Sequence, residues 1–65
     1  MERDTNRGSI VRMLKADIVG EHEAIRQYNS HINLIPNERI VEKLKHIRDQ
    51  ELHHVKELET MLKGL

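Results

Sequence analysis

The sequence predicts an all-α protein, a hairpin of two antiparallel helices that pairs with a second copy to form a four-helix bundle. Apolar residues recur every three or four positions through most of the 65-residue chain, which is the period of an α-helix. The only proline, Pro36, lies near the middle and divides this pattern into two halves. Two packed helices bury one narrow seam, whereas each half carries a wider apolar stripe. A second hairpin is therefore needed to cover the rest.

The first helix is expected at residues 9–34, and the polar residues 1–8 are expected to be disordered. Ser9 has a hydroxyl side chain of the kind that caps a helix N-terminus. Pro36 lacks a backbone N–H and disfavours helical geometry at Ile35, so the helix should end just before this point. The apolar stripe of the first helix comprises Ile10, Leu14, Ile18, Ala24, Ile25, Tyr28, Ile32 and Ile35.

The second helix is expected at residues 38–63, with Asn37 as its N-terminal cap and Gly64 as its C-terminal cap. Because the connection around Pro36 is short, the two helices should lie side by side and antiparallel. The whole chain, residues 1–65, is then a single helical-hairpin domain. The apolar stripe of the second helix comprises Ile40, Val41, Leu44, Ile47, Val55, Leu58 and Leu62.

The composition excludes several functional classes. The 11 basic and 11 acidic residues give a formal net charge of zero, so the broad basic surface of a nucleic-acid-binding protein is missing. The absence of cysteine excludes disulfides, thiolate zinc sites and redox dithiols. No apolar run is long enough for a membrane span, so a cytoplasmic location without membrane partners is expected. A chain this short usually needs a metal or a partner subunit for stability.

Three polar residues of the metal-binding type interrupt the apolar stripes. Glu21 fills the gap between Ile18 and Ile25, and Glu51 and His54 fill the gap in the second stripe. A carboxylate on a buried face is costly unless it is paired or binds a metal. The alternative is a residue at the rim of the core, whose stem packs while its charged end reaches water.

The two glutamates are also expected at the same height in the hairpin. Glu21 lies 15 residues before Pro36 and Glu51 lies 15 residues after it. At 1.5 Å of rise per residue, each is roughly 22 Å from the turn. His54 is about one turn beyond Glu51 on the same face. Two such hairpins supply the ligand set of ferritin-like di-iron proteins, one Glu from each of two helices and Glu-x-x-His from each of the others. These ligands suit iron or manganese and tolerate zinc.

Two segments resemble the ligand helices of encapsulated ferritins and rubrerythrin-like proteins. Residues 20–28, Gly-Glu-His-Glu-Ala-Ile-Arg-Gln-Tyr, are similar to the first ligand helix, and residues 47–54, Ile-Arg-Asp-Gln-Glu-Leu-His-His, to the second. The resemblance covers about residues 10–63. It implies a ferritin-like four-helix bundle, formed by a homodimer or a larger even-numbered oligomer, with ferroxidase activity at the interface between chains.

The same resemblance assigns roles to individual residues. It makes Glu21, Glu51 and His54 the ligands of two iron ions per dimer, and it places Tyr28 with them among the catalytic residues. It suggests, more weakly, that Glu23 lies on the path by which metal ions arrive. Encapsulated ferritins reside in a protein shell, which makes a nanocompartment a candidate location. The docking peptide that those cargo proteins carry after the second helix is not visible before Leu65.

Alternatives remain open for the supporting residues and for the function. Tyr28 either contacts a ligand carboxylate or is a core aromatic with its hydroxyl at the edge. Asp17 either accepts the second ring N–H of His54 or is a solvated helix residue. The chain is expected to oxidise Fe(II) with oxygen at the site shared between two copies. The alternative is a non-catalytic helical dimer or interaction module that zinc or manganese stabilises.

Overall fold

The computed structural model describes residues 6–65, which form two helices and a short connection. Helix α1 spans Arg7–Leu34 and helix α2 spans Glu38–Lys63. The helices pack against each other as a hairpin, and residues 6–65 contain no strand. The all-α hairpin that the sequence predicts is therefore confirmed.

Helix α1 begins earlier than the sequence indicates, and Asn6 rather than Ser9 is its N-terminal cap. The Asn6 side chain accepts a hydrogen bond from the backbone N–H of Ser9 at 2.8 Å. Asn caps a helix as well as Ser does, and Gly8 does not prevent the first turn from forming. The expectation of disorder is thus wrong for residues 6–8, while residues 1–5 lie outside the described part of the chain. Ser9 itself is inside the helix and buried.

The connection between the helices has the form that Pro36 dictates. Ile35 is extended, with φ −84° and ψ 123°, and its N–H donates to the carbonyl of His31 at 2.9 Å. The residue before a proline avoids helical geometry, so α1 ends at Leu34. The Asn37 side chain then accepts the N–H of Ile40 at 3.0 Å and caps α2. Both predicted features of this turn are confirmed.

The opposite end of the hairpin is closed by backbone contacts. Gly64 is the C-terminal cap of α2, and its N–H donates to the carbonyls of Thr60 and Met61. Its φ of −78° is an ordinary right-handed value, so this cap does not use the left-handed freedom of glycine. Arg7 Nε donates to the Leu65 carbonyl at 2.7 Å and joins the start of α1 to the end of the chain.

The core of the hairpin is thin. Ile25 and Val55 are its buried apolar residues, and an Arg48–Asn29 hydrogen bond of 3.0 Å adds a polar link between the helices. Neither helix combines the length and apolarity needed to span a lipid bilayer. The large apolar side chains left exposed are Met13, Val19, Leu34, Ile40, Ile47, Leu52, Met61 and Leu65. This surface fits the expected pairing with a second hairpin.

Candidate metal site

The side chains of Glu21, Glu51 and His54 meet at the seam between the two helices. Each offers one ligand atom, and these atoms all lie within 4.8 Å of one another. The three-residue spacing places Glu51 and His54 one turn apart on the same side of α2. Antiparallel packing brings Glu21 to their level. The equal distances of the two glutamates from Pro36 predict this meeting, and the structure confirms it.

The cluster is open to solvent on one side. His54 Nδ1 lies 3.2 Å from Glu51 Oε1 and 3.8 Å from Glu21 Oε2. The Glu51 and Glu21 side chains are 20% and 25% exposed, whereas that of His54 is 50% exposed. Protein atoms therefore shield the carboxylates from most of the solvent, while further ligands can approach from the side of the imidazole.

Crowding of the carboxylates raises the pKa of Glu21 above its ordinary value. The main cause is a side-chain hydrogen bond between Glu21 and Glu51, which forms when Glu21 is protonated. Partial burial and the negative charge of Glu51 also raise this pKa, while the charge of His54 lowers it. Glu21 therefore holds its proton more tightly than an ordinary glutamate when no other cation neutralises the charge of the two carboxylates.

A divalent cation suits this group of donors. Its charge balances the two carboxylates of one hairpin and relieves the repulsion that raises the pKa of Glu21. Carboxylate oxygens with one imidazole are ligands that iron and manganese accept and that zinc tolerates. Three ligands on one open side leave coordination positions for a second chain or water. The chemistry of Glu21, Glu51 and His54 therefore fits a metal ion, and their role as ligands stays a prediction.

The other predicted residues form no hydrogen bond to this cluster within residues 6–65. Tyr28 is half-buried, and its hydroxyl makes no hydrogen bond to the cluster within residues 6–65. Glu23 is exposed. Asp17 is exposed and forms no hydrogen bond with His54 in the same part of the chain. Its negative charge instead raises the pKa of Glu21. The sequence offered His54 as the partner of Asp17, whereas the described residues show an effect of Asp17 on Glu21.

The fold and the cluster together define a class of protein. A helical hairpin with a Glu on one helix and Glu-x-x-His on the other is half of a ferritin-like metal-binding bundle. Residues 8–65 match the family described as Ubiquinone biosynthesis protein COQ7, and the chain belongs to this family. COQ7 is a ferritin-like di-iron family, which confirms the general class.

No curated protein and no solved structure matches the chain significantly. The family found differs from the encapsulated ferritins and rubrerythrins that the two ligand segments resemble. The narrower resemblance to those proteins therefore stays a prediction.

Proposed function

We propose that two copies of the chain bind a pair of iron ions between them and oxidise Fe(II) with oxygen. The observation that carries the proposal is the cluster of Glu21, Glu51 and His54, which is half of the ferritin-like ligand set. Two copies supply four carboxylates, whose negative charge balances two divalent ions. The match to a di-iron family supports iron as the metal.

Fe(II) is the substrate in this reaction. Oxygen accepts two electrons and two protons to form hydrogen peroxide, and each of two Fe(II) ions is oxidised to Fe(III). The carboxylates of Glu21 and Glu51 favour this direction because they attract the more highly charged product more strongly. Where Glu21 is protonated, metal binding also displaces its proton, which is released to water. His54 contributes a nitrogen donor without adding negative charge.

Oxygen uptake after addition of Fe(II) tests the proposal with a closely matched pair of variants. His53 and His54 are neighbours on α2, but His53 is outside the cluster, with a side chain that is 72% exposed and 3.8 Å from Glu57. We expect His54→Ala to lower the initial rate by more than about tenfold. Removing even an indirect partner of a metal ligand lowers metal affinity or activity by about tenfold or more. His53→Ala should keep the original rate. Equal rates for the two variants would contradict the proposal.

The family description favours a second candidate, a step in ubiquinone biosynthesis. In that role the iron pair would be a resident cofactor and not the substrate. Titration with excess Fe(II) separates the two candidates. A ferroxidase continues to oxidise iron well beyond the amount that it binds, whereas a resident iron pair is oxidised once and then stops.

The thin core favours a third candidate, a structural metal that holds two hairpins together. Ile25 and Val55 are the buried apolar side chains of residues 6–65, so a bound ion could supply much of the stability. Zinc or manganese would then raise the melting temperature strongly, and the iron-loaded protein would consume no oxygen. Measuring melting temperature and oxygen uptake on the same samples distinguishes this role from catalysis.

A further inference from the structure

We propose that the second copy packs with its α1 against α1 and its α2 against α2, and that the helices of each pair run antiparallel. The two α1 helices cross at Gly20, and the two α2 helices cross at Gln50. The arrangement rests on the proposed function, in which Glu21, Glu51 and His54 are half of the ligand set and a second copy supplies the other half. It extends that function by specifying which helices meet and at which residues.

Each helix has a second row of residues beside the row that packs within the hairpin. Both rows have the alternating three- and four-residue spacing of a coiled-coil seam. The α1 row comprises Ile10, Met13, Asp17, Gly20, Ala24, Gln27 and His31. The α2 row comprises Ile40, Lys43, Ile47, Gln50, His54, Glu57 and Met61. Met13 and Met61 are each 55% exposed and Ile40 is 46% exposed, so the hairpin alone leaves most of each row uncovered. Because His54 belongs to the α2 row, the uncovered surface is continuous with the open side of the metal site.

The charges of the α2 row favour an antiparallel contact between two copies of α2. Lys43 and Glu57 lie seven residues to either side of Gln50. An antiparallel crossing at Gln50 places Lys43 of each copy opposite Glu57 of the other, which forms two symmetric ion pairs. Lys43 has no ion pair within residues 6–65, so it is available for this contact. A parallel crossing would instead place Lys43 against Lys43, and like charges across an interface oppose association.

The α1 row has its smallest residue at the matching position. A Cβ atom on Gly20 would meet nothing within 4 Å, so packing inside the hairpin gives no reason for glycine here. Glycine in a helix interior costs about 1 kcal/mol relative to alanine. Its absent side chain allows another backbone to approach closely. Ala24, one turn later in the same row, is also small. A crossing at Gly20 would place Met13 of one copy opposite Gln27 of the other.

Both crossings lie at the level of the metal site. Gly20 and Gln50 each precede a cluster glutamate by one residue, a rise of about 1.5 Å. One two-fold axis perpendicular to the helices can therefore pass near both crossings and bring the two ligand sets together. An axis parallel to the helices would set α1 against α2. That alternative places Asp17 near Glu57 and leaves Lys43 without an acidic neighbour.

Single cysteines test the crossings directly, because the chain contains no cysteine of its own. The variants are Gly20→Cys, Gln50→Cys and the control Val19→Cys, at an adjacent position that is 58% exposed. Each is oxidised in glutathione buffer with Mn²⁺ present. A disulfide requires Cα atoms within about 7 Å, so the first two variants should form roughly tenfold more covalent dimer than the control. Equal yields at residues 19 and 20 would overturn the α1 crossing.

Mixed cysteine variants test the direction of the helices. Chains carrying Met13→Cys and chains carrying Gln27→Cys should form a disulfide when mixed and little when oxidised separately. Efficient linkage of Met13→Cys to itself would show a parallel crossing and overturn the proposal.

Charge reversal gives a second test without cysteine. Lys43→Glu should weaken the dimer, and the double variant Lys43→Glu/Glu57→Lys should restore it. Failure of this rescue would contradict the α2 crossing.

Native mass spectrometry of the unsubstituted chain separates this proposal from the proposed function. Iron bound in pairs without linkage at residue 20 or 50 would refute the arrangement and leave the function standing. Linkage at both residues without iron binding would refute the function and support the arrangement. A chain that remains monomeric with metal present would refute both.

Discussion

An apolar pair and a polar pair of side chains on the seam between the helices have opposite effects on the stability of the hairpin. The apolar pair is Ile25 and Val55, and the polar pair is Glu21 and Glu51. Ile25 follows Glu21 by four residues, and Val55 follows Glu51 by four. Ile25 and Val55 are 8% and 6% exposed and stabilise the contact between the helices. The glutamates occupy the equivalent positions of the preceding turns, but their carboxylates crowd each other. Carboxylates placed where apolar side chains would stabilise the fold indicate a binding role.

The arrangement of these pairs also explains how the site is held. Because the helices are antiparallel, Ile25 lies on the turn side of the cluster and Val55 lies on the opposite side. Each glutamate is therefore fixed by a well-packed residue on its own helix. Binding groups on helices with packed neighbours keep their geometry better than groups on loops. The apolar pair supplies the stability that the polar pair reduces.

The largest expected effect comes from removing one carboxylate of the polar pair. Glu51→Ala should weaken Mn²⁺ or Fe(II) binding by more than about 100-fold, since even outer partners of metal ligands cost 10–100-fold. Isothermal titration calorimetry would measure this change, with Glu59→Ala, at an exposed position on the same helix, as the control outside the cluster. Equal affinity in the two variants would show that the cluster is not the binding site.

The next largest effect should come from the apolar pair and should concern stability. Val55→Ala removes buried methyl groups and should lower the free energy of unfolding by about 2 kcal/mol. Val19→Ala, at an exposed position, should change it by less than about 0.5 kcal/mol. Urea denaturation at a fixed chain concentration gives both values. A similar loss of unfolding free energy at both positions would contradict the role of Val55 in packing the two helices.

Acid should weaken metal binding because protons compete with the ion for the carboxylates of the polar pair. The raised pKa of Glu21 means that its proton is bound more tightly than by an ordinary glutamate. Displacement of one proton lowers the affinity by about tenfold for each pH unit below the raised pKa. The loss should be shallower in Glu21→Gln, which cannot bind the proton. Parallel pH profiles for the two proteins in Mn²⁺ titrations would contradict this role of Glu21.

The smallest effect should be on the stability of the metal-free protein. A folded-state pKa above the unfolded value means that the folded chain binds the proton more tightly. Ionisation of Glu21 therefore destabilises the fold as pH rises from 4.5, the ordinary glutamate pKa, through the raised pKa. Glu21→Gln should be more stable than the original by roughly 0.5 kcal/mol at neutral pH, the scale of partly exposed charge interactions. The difference should shrink in acid, and denaturation in the presence of a chelator would show whether it does.

The sequence alone predicts the hairpin and the meeting of its three polar residues. Periodicity, Pro36 and equal spacing of the two glutamates suffice for this, because helix geometry converts residue number directly into height. The start of α1 was predicted less well, since Asn6 and Ser9 are both good caps and local sequence does not choose between them. The effect of the Asp17 charge on the pKa of Glu21 depends on the distance between their side chains, which helical spacing does not fix.

The most direct test of the central claim is native mass spectrometry after anaerobic loading with Fe(II). Glu21, Glu51 and His54 are half of a ligand set, so we predict dimers or larger even-numbered oligomers that carry two iron ions per pair of chains. Glu51→Ala measured in parallel should carry none. A monomer with one tightly bound ion, or a dimer without metal, would contradict the claim that two hairpins complete one di-iron site.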